Sequence, residues 1–252
     1  MNNQHLSSLG TEFMIGILGT PRRPESIQLN IVSESVAHVH ITSPHENVDK
    51  NYIVTNFSRI NISGSFSFRS NGSDFRGIYI RSDVPISVHV MPHGYYDVFE
   101  GFMALPVNIL STKYIAASYK PYRASPAGFD EVMVVGIYND TIYNISLGSK
   151  LDLKNLRVQR FETVQWLLST DISGSFITSD KPVAVFAGSS NSQIPNGVGD
   201  HQYLVEQMLP VDLWSNKFVV PPLYPQLHTL IRILSSSDNT MIHLHNRTNN
   251  TS

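Results

Sequence analysis

The sequence predicts an all-β protein built from tandem antiparallel β-sandwich-like repeats, two of them full and a third partial. Three observations lead there. The apolar residues fall in short runs rich in Val, Ile, Phe and Tyr, separated by Gly, Asn, Asp, Ser and Pro at short spacing. Apart from Gln202–Met208, no stretch carries a helical period. The stretch Ser179–Val220, which organises the chain, has a weaker copy roughly 100 residues upstream, and a period of that size marks a repeat architecture. In that copy Ser82-Asp83-Val84-Pro85 aligns with Ser179-Asp180-Lys181-Pro182, Leu105-Pro106-Val107 with Leu209-Pro210-Val211, and STKYIA (111–116) with SNKFVV (215–220).

In chain order, residues 1–9 read as a lead-in and residues 10–120 as the first repeat. Phe13–Leu18 is its opening strand. Ile27–Val32 and Val36–Ile41 alternate apolar and polar residues at period two. Ser33-Glu34-Ser35 between them reads as a short hairpin loop. Asn61–Phe68 is the next strand, and Asn71-Gly72 a turn dipeptide. Ile78–Ile80 and Ile86–Met91 close the repeat. The charge-poor segment Tyr119–Phe129, with Pro121 and Pro126, reads as a linker.

Residues 121–214 form the second repeat. Val132–Tyr138 and Thr141–Leu147 flank Asn139-Asp140, a residue pair suited to a hairpin turn. Val158–Leu168 reads as one long strand or two short ones. Asp171–Phe176 (DISGSF) matches Asn61–Phe66 (NISGSF). Lys181-Pro182 opens the apolar run Val183–Ala187, short enough for a buried strand. Residues 215–252 hold the opening strands of a third repeat: Lys217–Val220 copies the strand at Phe13, and Leu230–Leu234 with Met241–Leu244 copies the pair around Asn139.

Composition narrows the function classes. The 252 residues are 41% hydrophobic, enough for a full core or two smaller ones. Charged residues make up 15%, with a net charge of −2 and no basic block, which argues against nucleic acid and anionic membrane surfaces as partners. No apolar run approaches a membrane span, so membrane insertion is not expected. Cysteine is absent, which removes disulfides, thiol catalysis and thiolate metal sites. The N-terminal MNNQHLSSLG lacks the basic and apolar regions of a signal peptide.

Four motifs in order, LSTKYIAASY, MVVGIYNDT, SDKPVAVFAG and DHQYLVEQMLPV, resemble the IgG Fc-binding N-terminal domain family across about residues 10–245. In that family the domain heads secreted, mucus-associated proteins that also carry von Willebrand type D modules. The resemblance implies a truncated or isolated form without those modules. It further implies a non-catalytic extracellular binding module for immunoglobulin G Fc or for mucus glycoproteins such as mucins, with no cofactor. A structural adhesion or spacer role, assembling through an exposed strand edge without Fc affinity, is the alternative. No binding residue transfers with the resemblance, because the motifs read as core strands and turns.

The residues themselves offer five kinds of candidate. N-x-Ser/Thr acceptors stand at Asn56, Asn61, Asn71, Asn139, Asn144 and Asn246, with two more at Asn249 and Asn250. Partner contact falls on the loop holding His93, Tyr95, Tyr96 and Phe99, since tyrosine combines contact area with a hydrogen-bonding tip. His38 and His40, like His243 and His245, share a strand face, but with no third ligand at fitting spacing they read as polar surface, and no metal site is expected. Asp200, His201 and Glu206 near Ser189 and Ser190 invite a hydrolase reading, yet no nucleophile elbow is present. Glu206, like Glu100 ahead of the first Leu-Pro-Val, reads as a structural carboxylate accepting backbone N–H groups near that turn. The loop Asn196–Asp200 reads as a tight turn, and Trp166 and Trp214 as core.

Overall fold

A computed structural model describes residues 7–20, 23–93, 100–123, 128–148, 151–195, 201–221 and 230–245. It is all-β, with antiparallel pairing between every pair of named strands. The first set of strands comprises β1 (Gly10–Ile15), β2 (Ser26–Ser33), β3 (Ala37–Ser43), β4 (Val48–Val54), β5 (Phe57–Ser63), β6 (Gly72–Asp74), β7 (Ile78–His93) and β8 (Phe102–Met103). The second comprises β9 (Lys113–Ile115), β10 (Asp130–Gly136), β11 (Thr141–Leu147), β12 (Leu151–Val158), β13 (Thr163–Leu168), β14 (Phe176–Ser179), β15 (Val183–Ser192) and β16 (Gln202–Gln207).

The long strand β7 holds the first set together. Its first half pairs with β1 on one flank and β3 on the other, and its second half with β2 and β8. Outside these, β4 pairs with β3 and β5 with β2, giving a sheet of seven strands. Ser33-Glu34-Ser35 is therefore no hairpin. β2 and β3 run in the same direction along β7, with Ser33 opposite Ile86 and Val39 opposite Ser82. Glu34, Ser35 and Val36 are a break in one long bent strand, and Asn56, at φ 64°, marks the matching break between β4 and β5.

The second set repeats this order of pairing. β9 pairs with β14 as β1 does with the first half of β7; β14 also takes β11, and β15 takes β10 and β16. β12 flanks β11, and β13 flanks β10. β13 also takes β6 from the first set. Here the long strand is divided at Lys181-Pro182, so the set forms two sheets, of order β16-β15-β10-β13-β6 and β12-β11-β14-β9. Asn139-Asp140 accordingly makes no hairpin: β10 and β11 lie in different sheets, and the turn carries the chain across. Gln202–Gln207 is a strand, with Tyr203, Val205 and Gln207 buried at period two.

The sheet centred on β10 and β15 is buried on both faces. Met133, Val135, Ala184 and Phe186 join the core of the first set, while Val132, Val134, Val183 and Val185 join the second core with Tyr114, Tyr143 and Ile177. A strand packed on two sides must be apolar at every position, which is why Val183–Ala187 shows no alternation. The two sets are thus layers of one stack that share the middle sheet.

Candidate functional site

Both Ser-Asp-x-Pro motifs serve one local purpose. Asp83 Oδ1 accepts the His38 N–H at 2.8 Å, and Asp180 Oδ1 accepts the Ile142 N–H at 2.8 Å. His38 and Ile142 are each the second residue of the strand that begins there, β3 or β11. The aspartate supplies the acceptor that the ladder lacks where the long strand changes partners, and the proline falls where no N–H is needed. The side-chain bond with His38 comes first among the causes holding the Asp83 carboxyl below its usual range.

The NISGSF and DISGSF motifs are likewise tethers. Ser63 accepts the Ser65 N–H, Ser65 Oγ donates to Glu46 Oε1 at 2.5 Å, and His45 Nε2 lies 2.9 Å from Ser65 Oγ. Seryl hydroxyl, imidazole and carboxylate meet here without forming a catalytic triad. The hydroxyl proton points at Glu46, so the imidazole cannot collect it, whereas a triad requires the carboxylate on the far imidazole nitrogen. The hydrogen bond from Ser65 depresses the Glu46 carboxyl. The cluster ties the 3-10 turn His45–Asn47 to the turn Gly64–Phe66. Its members lie 19 and 20 residues apart in the chain, so no local spacing in the sequence marks it.

The residues suggested for hydrolysis are not brought together. Ser189 Oγ is buried and donates to the Phe129 carbonyl at 3.2 Å, Ser190 Oγ bonds the same residue, and the His201 ring packs against Tyr122 at 3.9 Å between centroids. Asp200 and the rest of the loop 196–200 lie outside the described residues. Glu206 does not accept N–H groups at the Leu-Pro-Val turn; its neighbour Gln207 does, taking the Leu105 N–H at 2.8 Å. Counted back from the aligned Leu-Pro pairs, Glu206 matches Phe102 rather than Glu100. Burial raises the Glu206 carboxyl, with the Glu100 charge adding to it, and burial also raises Glu100.

His38 and His40 do share a face, but each is tied to its own carboxylate, Asp83 at 2.7 Å and Asp49 at 2.6 Å. Among the described residues no group of three His, Cys, Asp or Glu converges on a metal position. Of the aromatic loop, His93 ends β7 and is exposed; Tyr95, Tyr96 and Phe99 lie outside the described residues. Among the glycan acceptors, Asn56, Asn61, Asn71 and Asn139 are exposed, and Asn144 is half-buried with its amide donating to Thr178 Oγ1 at 3.2 Å. Asn246, Asn249 and Asn250 lie outside the described residues. Trp166 and Trp214 are half-buried, Trp166 against the second core.

A cavity of about 270 Å³ lies between the β15–β16 edge and residues 230–234. Its walls are mostly apolar, with Val205, Met208, Leu204 and Leu234 among them, and Glu206 and Arg232 are the charged residues in its lining. Arg232 is committed elsewhere: it donates to the Ser118 carbonyl at 2.6 Å, to Asp171 and to Ser173 Oγ, and lies over the Tyr119 ring. Burial pushes the Asp171 carboxyl up, but the bonds from Ser173 and Arg232 outweigh it and the net displacement is downward. Such a surface can hold a ligand by shape and apolar contact. The described residues that line it include no histidine.

A family model described as IgGFc binding protein matches residues 100–252. A human protein named IgGFc-binding protein is 26% identical over an alignment of 224 residues that covers 85% of this chain and 4% of the human one.

Proposed function

Because the chain belongs to the IgGFc binding protein family, we propose that it is a non-catalytic extracellular binding module that docks a protein ligand, the Fc part of immunoglobulin G or a mucus glycoprotein such as a mucin. The family match over 100–252 is the observation that carries this reading. The site geometry supports it, since hydroxyl, imidazole and carboxylate groups are consumed in tethering turns. Contact is assigned to the loop between His93 and Glu100, with Tyr95, Tyr96 and Phe99 as the aromatic anchors. Secretion and N-glycosylation belong to the same reading. Asn56, Asn61, Asn71 and Asn139 are open to a glycan, while one on Asn144 would break its bond to Thr178.

Immobilised Fc and immobilised mucin, each challenged with the purified chain in a biosensor, test the proposal. Saturable retention on one of them, weakened about tenfold or more by Tyr95→Ser with Tyr96→Ser at unchanged melting temperature, is the expected result. No retention on either surface refutes it. A second reading, a structural adhesion or spacer module assembling through open strand edges, is favoured by the exposed apolar residues near the C-terminal end, Phe218 at 77% and Val219 at 93% among them.

A further inference from the structure

The outer face of the first sheet carries Gln28, Asn30, His40, Arg59 and Asn61 along its strands but turns apolar at the bend. Four side chains stand open there: Val32 at 43%, Val36 at 54%, Ile53 at 67% and Phe57 at 52%. Val32 lies opposite Phe57, and Ile53 opposite His38. Ile31, Ala37 and Val54, each next to one of the four, are fully buried, so the four face away from the core. Asn56 sits inside this patch, three residues after Ile53 and one before Phe57. It is exposed and heads the acceptor triplet Asn56-Phe57-Ser58. Its backbone is pinned. Its carbonyl takes the Ser33 N–H at 2.8 Å, and the Phe57 N–H turns back to the Thr55 carbonyl at 2.8 Å. The φ of 64° accounts for an asparagine, which enters the left-handed region readily, but it requires neither Ser58 nor open apolar neighbours. The other exposed acceptors stand differently. Asn71 and Asn139 spend the side-chain oxygen on backbone N–H groups, Leu167 at 2.7 Å and Arg160 at 3.1 Å. Asn61 lies opposite Gln28, farther along β5.

We infer that Asn56 carries an N-linked glycan whose first N-acetylglucosamine units lie on Val32, Val36, Ile53 and Phe57 and close the bend of the first sheet to other chains. The inference rests on the glycoprotein reading above and adds what one particular sugar covers. In the transfer, Asn56 Nδ2 bonds to the anomeric carbon of a lipid diphosphate-linked oligosaccharide. The bond from that carbon to the phosphate oxygen breaks, the lipid diphosphate leaves, and Nδ2 gives up one proton to the transferase. A pyranose ring has an apolar C–H face and the acetamido group adds a methyl, so the sugar matches one aromatic and three branched aliphatic side chains. Ile53 is about 10 Å of extended chain from Asn56, within the span of two linked rings. The rim suits the sugar hydroxyls: Arg59 bonds Asn30 at 3.2 Å on one side, and His38 meets Asp83 at 2.7 Å on the other. β4 and β5 are edge strands, so the glycan stands where pairing with another chain would begin. A protein seated on the same four residues and a sugar on Asn56 exclude each other, and the acceptor triplet is built into the patch.

The full chain, sent through the secretory route of mammalian cells under an added signal peptide, tests this. Mass spectrometry of the secreted chain is expected to find Asn56 occupied. In NMR spectra the N-acetyl methyl of its first sugar should be shifted upfield by the Phe57 ring, and F57S, still glycosylated, should lose that shift. S58A keeps Asn56 and its turn, loses the sugar, and should self-associate in light scattering at about tenfold lower concentration. Enzymatic release of the sugars from the folded wild-type chain should reproduce this without any change of fold, whereas N61Q should not. Adding F57S to S58A should restore the dispersed state. Asn56 left bare on a chain glycosylated elsewhere overturns the inference and leaves the glycoprotein reading intact. A secreted chain with no sugar at any acceptor removes both. An occupied Asn56 whose methyl is unshifted overturns the inference, because the sugar then stands clear of the patch. So does association that is unchanged by loss of the sugar, or that F57S does not reverse.

Discussion

The two strand sets follow one plan and differ at one joint. In the first, β7 runs unbroken through Ser82-Asp83-Val84-Pro85 and merges everything around it into a seven-stranded sheet. In the second, β14 stops at Ser179 and β15 starts at Val183, leaving two sheets. The exchange of partners happens at the same place in both, with an aspartate accepting a strand-opening N–H in each. The shared motif therefore encodes a change of partner and does not require a turn. Whether the strand also breaks depends on what must fit around it. The half that includes β15 is packed on both faces, against both cores, and its whole length is buried.

The most damaging way to break the comparison is at that shared sheet. Phe186 is fully buried in β15 and meets Phe102 of β8 edge-on, with centroids 5.2 Å apart. Phe186→Ala leaves a cavity between the two sets, and the expected loss is about 3–5 kcal/mol. Chemical denaturation would read it. A single lowered transition means the sets unfold together, as a shared layer demands. Two separated transitions would show that each set stands alone.

The next effect sharpens the contrast between the two faces of the middle sheet through pH. Neighbours in β10, Asp130 and Glu131 are both buried. Burial pushes the Asp130 carboxyl up to about 7 and the Glu131 carboxyl well above its ordinary range. Asp130 Oδ2 accepts the Ile172 N–H at 3.0 Å. A raised carboxyl binds its proton in the folded chain at pH values where the unfolded chain has released it. Its contribution is thus full below about pH 4 and is lost as pH rises through about 7. The melting temperature should rise on acidification from pH 8 to pH 5. In Asp130→Asn, which keeps a carbonyl for Ile172, that slope should be shallower, with Glu131 supplying the remainder. At pH 8 the variant should be more stable by on the order of 2–4 kcal/mol. Identical pH profiles for the two proteins would exclude Asp130 as the titrating group.

Much of this was legible in the residues. Apolar runs and β-branched enrichment placed most strands, and the aligned Ser-Asp-x-Pro and Leu-Pro-Val motifs exposed the doubling. Partner choice was hidden. Asn139-Asp140 has the chemistry of a tight reversal, but turn chemistry fixes only where the chain turns; whether the flanking strands then bond each other is decided by residues far away, here β13, β14 and β15. Ser33-Glu34-Ser35 failed as a hairpin for the same reason. In Gln202–Met208 seven residues are too few to separate a helical from an alternating pattern. The Ser65, His45 and Glu46 cluster assembles only when two turns meet, and no local spacing announces it.

The finest distinction is between the two aspartates themselves. Asp83 sits within a continuous strand, so the backbone on either side of it is held by ladders to β1, β2 and β3 whether or not its side chain is present. Asp180 sits in a gap, where the connection between two sheets has Lys181-Pro182 and no strand of its own. Its carboxylate and its own N–H, which donates to the Ile142 carbonyl at 2.9 Å, together pin the start of β11. Asp180→Ala should speed amide exchange at Ile142 about tenfold. Asp83→Ala should speed exchange at His38 by only about a few-fold, because β7 holds its register without that bond. Exchange measured amide by amide decides the point: equal acceleration at both sites would mean that the unbroken strand confers no local protection, and that the two joints differ in shape without differing in stability.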